Sequence, residues 1–200
     1  MISLPPALIT TPRLIIRRRD PSDAALFKDA VDSSLEHLRQ WMPWAHDEPI
    51  PLEALRERIA GFALNFEEGR EFVYGILSKD GSEALGCLGL HLRNEDTDRE
   101  IGYWLRVSAT GQGFITEAAA AVTTAAFATW PDVQTVTIVC DPANARSAAV
   151  PARLGYSCLG NRPSKEPTPA RSEDQVWRIT REGWHSSTGN GRAAVSQIQP

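Results

Sequence analysis

Two hundred residues, 42% of them hydrophobic, suffice for one good core, and the length favours a single domain with a tail. Twenty-one basic against 25 acidic residues give a net charge of -4, and with a pI near 5.6 this argues against a nucleic-acid-binding surface spread over the fold. No uninterrupted apolar run reaches the roughly 18 residues that a membrane span needs, and Pro5, Pro6 and Pro12 interrupt the N-terminal apolar stretch, so a cytoplasmic protein without a membrane anchor is expected.

After a short leader, Arg13-Leu14-Ile15-Ile16-Arg17 is β-rich enough for a first strand, and Arg17-Arg18-Arg19 reads as its solvated end. Asp20-Pro21-Ser22-Asp23 supplies a capping side chain and a proline in the first turn of a helix, which carries Ala24, Phe27 and Val31 on one face to about Asp32. Leu35, Leu38 and Trp41 share a face of a second helix that Pro43 stops. Pro51 opens a third, with Leu55, Ile59, Phe62 and Phe66 at helical spacing and Gly69 near its end. From Glu71 the period changes. Residues 72–77 and 85–92 read as strands joined at Lys79-Asp80-Gly81, and a polar turn from Asn94 to Asp98 leads into the strand that starts at Glu100, which completes a three-strand antiparallel meander.

In that strand Ile101, Tyr103 and Leu105 alternate with Gly102, Trp104 and Arg106. Ser108-Ala109-Thr110-Gly111-Gln112-Gly113-Phe114 follows, and then a long Ala-rich helix to Trp130. Glycines here allow backbone conformations closed to other residues, and the helix start offers unpaired N–H groups and the positive end of a dipole. Gly111 and Gly113 by themselves fit either a plain strand-to-helix turn or a phosphate-binding one. Residues 133–140 are β-branched and apolar, as in a strand buried on both faces. Asn144 is placed as the N-cap of a helix ending at Gly155, in which Pro151 removes a backbone hydrogen bond and predicts a kink. Residues 156–160 and 175–180 read as the last two strands, a hairpin with a long polar insertion from Asn161 to Asp174. Residues 1–184 form the expected domain, and the Gly/Ser-rich residues 185–200 read as a mobile tail. Cys87, Cys140 and Cys158 lack metal-ligand spacing and read as reduced core residues, and His37, His46, His91 and His185 are scattered, so no metal is expected.

The run Gly111-Gln112-Gly113-Phe114-Ile115-Thr116-Glu117-Ala118, after a strand carrying Gly-Tyr-Trp-Leu, resembles the acetyl-CoA-binding motif of the GNAT superfamily of N-acetyltransferases, in particular its RimJ/RimL branch. Thr11-Pro12-Arg13-Leu14 looks like that branch's opening strand, and Asn144-x-x-Ser147 followed by Leu154-Gly155-Tyr156 is a second piece of the resemblance. Departures are Thr110 before the first glycine, Ile115 after the second, and Val107 where the loop commonly holds proline. The resemblance implies an α+β GNAT fold: a mixed, mostly antiparallel sheet of six to seven strands flanked by about four helices, splayed between strands four and five where pantetheine lies.

It further implies direct transfer of an acetyl group from acetyl-CoA, as co-substrate, to a primary amine in a ternary complex. Cofactor contacts fall to Leu105, Val107, Gly111, Gln112, Gly113, Phe114, Ile115, Thr116, Asn144 and Ser147. Leu105 would donate its N–H to the thioester oxygen, Ser147 would act as general acid, and Glu100 is the candidate base, with a solvated or salt-bridged carboxylate as its other reading. Trp41, Met42 and Trp44 either line the acceptor entrance or pack in the core. The acceptor is expected to be a protein or peptide N-terminal amine; a small amine and a non-catalytic CoA-binding module are the alternatives. No nucleic acid or membrane is expected as a partner, and the chain is expected as monomer or homodimer.

Overall fold

The computed structural model describes residues 3–92, 97–168, 171–188 and 197–199. Among the described residues nine strands form one sheet: β1 Leu8–Thr10, β2 Leu14–Arg18, β3 Phe72–Ser78, β4 Ala84–His91, β5 Asp98–Leu105, β6 Thr135–Cys140, β7 Ser157–Thr168, β8 Arg171–Thr180 and β9 Gln197–Gln199. Their spatial order is β7-β8-β6-β5-β4-β3-β2-β1-β9, antiparallel throughout except for β5 and β6. Six helices flank it: α1 Ala24–Asp32, α2 Leu35–Arg39, α3 Leu52–Glu67, α4 Phe114–Thr129, α5 Ala145–Arg153 and α6 Arg181–Thr188.

Two layers of side chains clamp the sheet. On one face α4 lies against Tyr74, Leu88, Leu90 and Ile101, close because its buried stripe is mostly alanine, Ala118 to Ala121 with Ala125 and Ala126. On the other face α1 and α3 bring Phe27, Ala30, Leu55 and Ile59 onto Ala84 and Cys87. A fully buried Ile or Phe contributes about 1.5–3 kcal/mol through its area alone, so these faces fix which way each strand residue points.

The parallel pair is where the sheet opens. β5 pairs with β6 only over Asp98, Arg99, Glu100 and Ile101, facing Thr135 to Ile138, although β5 continues to Leu105 and β6 to Cys140. On its other side β5 stays paired with β4 as far as Leu105, opposite Gly86. A Cβ on Gly86 would stand 2.1 Å from the Trp104 carbonyl oxygen, so the close approach of β4 and β5 at the mouth of the opening requires glycine there.

Several expectations change at the edges. Leu8–Thr10, read as leader, is a short strand, and together with β9 it takes the sheet beyond the expected six to seven strands. Within the segment from Asn161 to Asp174, expected as a polar insertion, residues 161–168 continue β7 and residues 171–174 begin β8, with Asn161 Nδ2 donating to Glu173 at 3.1 Å. Pro163 and Pro167 are tolerated because β7 is an edge strand. Residues 185–188, expected in the tail, belong to α6, and Trp184 is buried beside α4. The rest of that tail, residues 189–196 and 200, lies outside the described residues, as do Asn94 to Asp96 of the expected polar turn. Arg19, expected at a solvated strand end, is buried with its guanidinium 3.8 Å from the Phe27 ring centre and donating to Cys87 Sγ. Cys158 is exposed, unlike the two other cysteines.

Candidate active site

β5 delivers its end into the opening with an unclaimed donor. The Arg106 N–H bonds back to the Leu85 carbonyl of β4 at 2.8 Å. Successive N–H groups along an extended chain point to opposite sides, so the Leu105 N–H faces the side that β6 has left. A cavity of about 1470 Å³ lies there, bounded by Tyr103, Trp104, Leu105, the turn before α4, and α5.

The turn is a 3-10 stretch, Val107–Ala109, followed by Thr110, whose Oγ1 donates to the Val107 carbonyl at 2.8 Å. Gly111 and Gly113 stand at φ of 76° and 80°, the left-handed region that side-chain-bearing residues avoid. Gly113 is the N-cap of α4 and supplies no capping side chain, so the first-turn N–H groups of Phe114, Ile115 and Thr116 border the cavity uncapped. Gln112 is turned back onto the Ser108 carbonyl, 3.0 Å away, which leaves main chain as what the turn offers.

Glu117, in the first turn of α4, holds this loop to the N-terminal segment. Its carboxylate accepts from Thr11 Oγ1 at 2.5 Å, from the Arg13 N–H at 3.0 Å and from Arg13 Nε at 2.6 Å, while Arg13 Nη1 donates to the Gln112 carbonyl at 2.9 Å. Burial alone would raise the Glu117 pKa; the hydrogen bonds from Thr11 and Arg13 outweigh it and hold it below the ordinary 4.5. A carboxyl depressed in the folded state stabilises above its unfolded pKa and loses that contribution as pH falls through the folded one. Glu117→Gln is therefore expected to cost about 1–3 kcal/mol at neutral pH, with the gap to the parent closing as pH drops below 4.5 in calorimetric melts. A gap that persists at low pH would show that packing, not charge, is what was lost.

Across the cavity, Asn144 caps α5, its side chain accepting from the Ser147 N–H at 3.0 Å. Ser147 is half-buried and lines the cavity, with Oγ 3.2 Å from the Tyr103 hydroxyl of β5. The Tyr103 hydroxyl in turn donates to the Ser147 carbonyl at 3.0 Å. Burial pushes the Tyr103 phenol above its ordinary range against the hydrogen bond with Ser147, so it stays protonated. Burial likewise raises the neighbouring Cys140 thiol to about 11, although its hydrogen bond with Ser147 opposes the shift, so it is no nucleophile at neutral pH.

The structure thus brings Leu105, Gly111, Gln112, Gly113, Phe114, Ile115, Thr116, Asn144 and Ser147 around one cavity. Val107 is exposed and outside the lining; its N–H is taken by Ser34 Oγ at 3.0 Å. Trp41 and Met42 line the cavity, whereas Trp44 packs against Trp104 with ring centres 5.7 Å apart. Glu100 sits at the other end of β5, on the same face as Trp104 but outside the lining, with Arg162 3.9 Å away and His91 as its cross-strand partner. No local sequence pattern gives Tyr103, Arg13 or Thr11 a role. Thr11 and Arg13 stood inside the quoted opening segment, but nothing in a one-dimensional pattern pairs them with a glutamate about a hundred positions away.

Residues 13–157 match the family model described as "Acetyltransferase (GNAT) domain". The protein named "Putative ribosomal N-acetyltransferase YdaF" from Bacillus subtilis (strain 168) is 30% identical over 145 residues, 72% of this chain and 77% of its own length. Among solved structures, Mycobacterium smegmatis RimJ in complex with CoA-disulfide superposes with a TM-score of 0.78 at 22% identity, over 95% of this chain and 98% of that one. RimL, a ribosomal L7/L12 alpha-N-protein acetyltransferase in complex with coenzyme A, does so at 0.76 and 23% identity, over 86% and 97%. At these identities the two structures establish the shared fold.

Proposed function

The chain belongs to the GNAT acetyltransferase family, and on that premise we propose that it moves the acetyl group of acetyl-CoA to the α-amine of a protein or peptide N-terminus. The observation that carries this reading is the opening between β5 and β6, where a free strand N–H, an uncapped helix start and a serine hydroxyl border one cavity. The diphosphate of acetyl-CoA takes the N–H groups of the Gly111 to Thr116 turn, and pantetheine runs down the gap. The thioester oxygen accepts from the Leu105 N–H, which strengthens its hold as charge builds there during attack.

Neutral amine attacks the thioester carbon, the C–N bond forms, and the C–S bond breaks as the tetrahedral centre collapses. The departing thiolate, whose thiol has a reference pKa of about 8.5, is protonated through the Ser147 hydroxyl. The amine proton leaves on the Trp104 face of β5 toward Glu100. Four residues of strand, about 13 Å, separate the two positions, so the transfer runs through water.

An N-terminal α-amine has a reference pKa of about 7.7–8.0 against about 10.4 for lysine, and so suits a site whose base acts at a distance. The name of the Bacillus subtilis relative, "Putative ribosomal N-acetyltransferase YdaF", favours a protein acceptor. The test is thiol release from acetyl-CoA against a panel of N-terminal peptides and small amines. Turnover of peptides with a free α-amine, abolished by blocking that amine, is expected. Turnover confined to small amines would replace the acceptor, and coenzyme A binding without turnover of any amine would remove the catalytic role.

A further inference from the structure

We propose that Tyr103 is a positioning residue for Ser147, and that Pro151 is what makes it one. In a regular helix the carbonyl of residue 147 accepts from the N–H of residue 151. Residue 151 is proline, in the interior of α5, and it has no N–H to give. The Ser147 carbonyl is thereby left without its usual helical donor, and the Tyr103 hydroxyl, reaching across from β5, donates to it at 3.0 Å. With its hydrogen so committed, the phenol oxygen turns lone pairs to the Ser147 hydroxyl 3.2 Å away. One tyrosine oxygen therefore holds both ends of Ser147, main chain and side chain, at the mouth of the gap between β5 and β6.

Two further features of the chain fit this arrangement. α5 runs on past Pro151 to Arg153, so the proline does not end the helix. Tyr103 lies two residues past Ile101, the last residue of β5 paired to β6, so its hydroxyl bridges the two walls at the point where backbone bonding between them has ceased. This role rests on Ser147 as the donor to the leaving thiolate. The Ser147 hydroxyl, kept beside the sulfur by Tyr103, swings its hydrogen from the phenol oxygen to the thiolate and is reprotonated from water, while the proton shed by the attacking nitrogen goes to Glu100, so that the phenol itself is unchanged at the end of the cycle.

The test is a double-mutant cycle of Tyr103→Phe and Pro151→Ala. Tyr103→Phe removes one oxygen and is expected to lower kcat roughly tenfold, a fraction of the about 10²–10⁴ that a placed proton donor contributes, with KM for acetyl-CoA unchanged. Pro151→Ala restores the helical N–H, competes with Tyr103 for the Ser147 carbonyl, and is expected to lower kcat without lowering Tm. Because both act on one carbonyl, the double variant should be no slower than the slower single one. Additive losses, or a Tyr103→Phe loss that appears in Tm and not in kcat, would overturn the role of Tyr103. If Ser147→Ala itself leaves kcat unchanged, the fault lies with Ser147 as donor; if Ser147→Ala is slow while Tyr103→Phe is normal, it lies with Tyr103.

Discussion

Replacing Gly113 by valine is expected to weaken acetyl-CoA binding by about a hundredfold or more, equivalent to about 2.7 kcal/mol, while the fold survives. At φ of 80° a β-branched residue is strained by about 1–3 kcal/mol, and a chain that relieves the strain must rotate the N–H groups opening α4 out of line. A Cβ at this position comes to 3.5 Å from Arg13 Nη2, an ordinary contact, so the cost lies in the backbone conformation and not in a clash. Gly111 offers a contrast: a Cβ there meets nothing within 4 Å, so Gly111→Asn, a residue that accepts the left-handed region, should lose far less. Calorimetric titration with coenzyme A measures both. Gly113→Val binding as tightly as the parent would mean that the turn does not hold the diphosphate.

The second large effect is expected from Ser147→Ala. Removing the hydroxyl takes away the proton donor and should lower kcat by about 10²-fold or more. Binding should survive, because the Asn144 cap bonds the backbone N–H of residue 147 and not its side chain, so α5 keeps its start. Single-turnover acetyl transfer and separately measured acetyl-CoA affinity make the distinction. A rate equal to the parent's would remove Ser147 from the chemistry and leave the thiolate to depart unaided.

The meander, the Ala-rich helix and the diglycine turn were legible because each is decided locally. Period-2 alternation marks β5, helical spacing marks α3, and two glycines at positive φ mark the turn whatever surrounds them. Leu8–Thr10 was not legible, since three residues flanked by prolines become a strand only because β2 offers them an edge. The ribbon of β7 and β8 escaped for a related reason. Its residues are polar on both faces, and cross-strand pairs such as Asn161 with Glu173 stabilise it without any apolar signature. At the site, residue types in a motif could be assigned roles, but contacts made through folding could not. Trp44 shows this from one side, drawn onto Trp104 and away from the cavity that Trp41 borders. Tyr103 shows it from the other, since its bond to the Ser147 carbonyl depends on a proline in a helix that follows another strand and helix.

The prolines of β7 have a bearing on how molecules of this protein meet one another. A sheet that stops at an exposed border invites a neighbour's backbone to add on, which is how aggregates begin. At this border Pro163 and Pro167 withhold two hydrogen-bond donors, and Lys165 between them sets an exposed charged residue in the way. The edge formed by this twelve-residue strand is in this way a poor template for a stranger's chain.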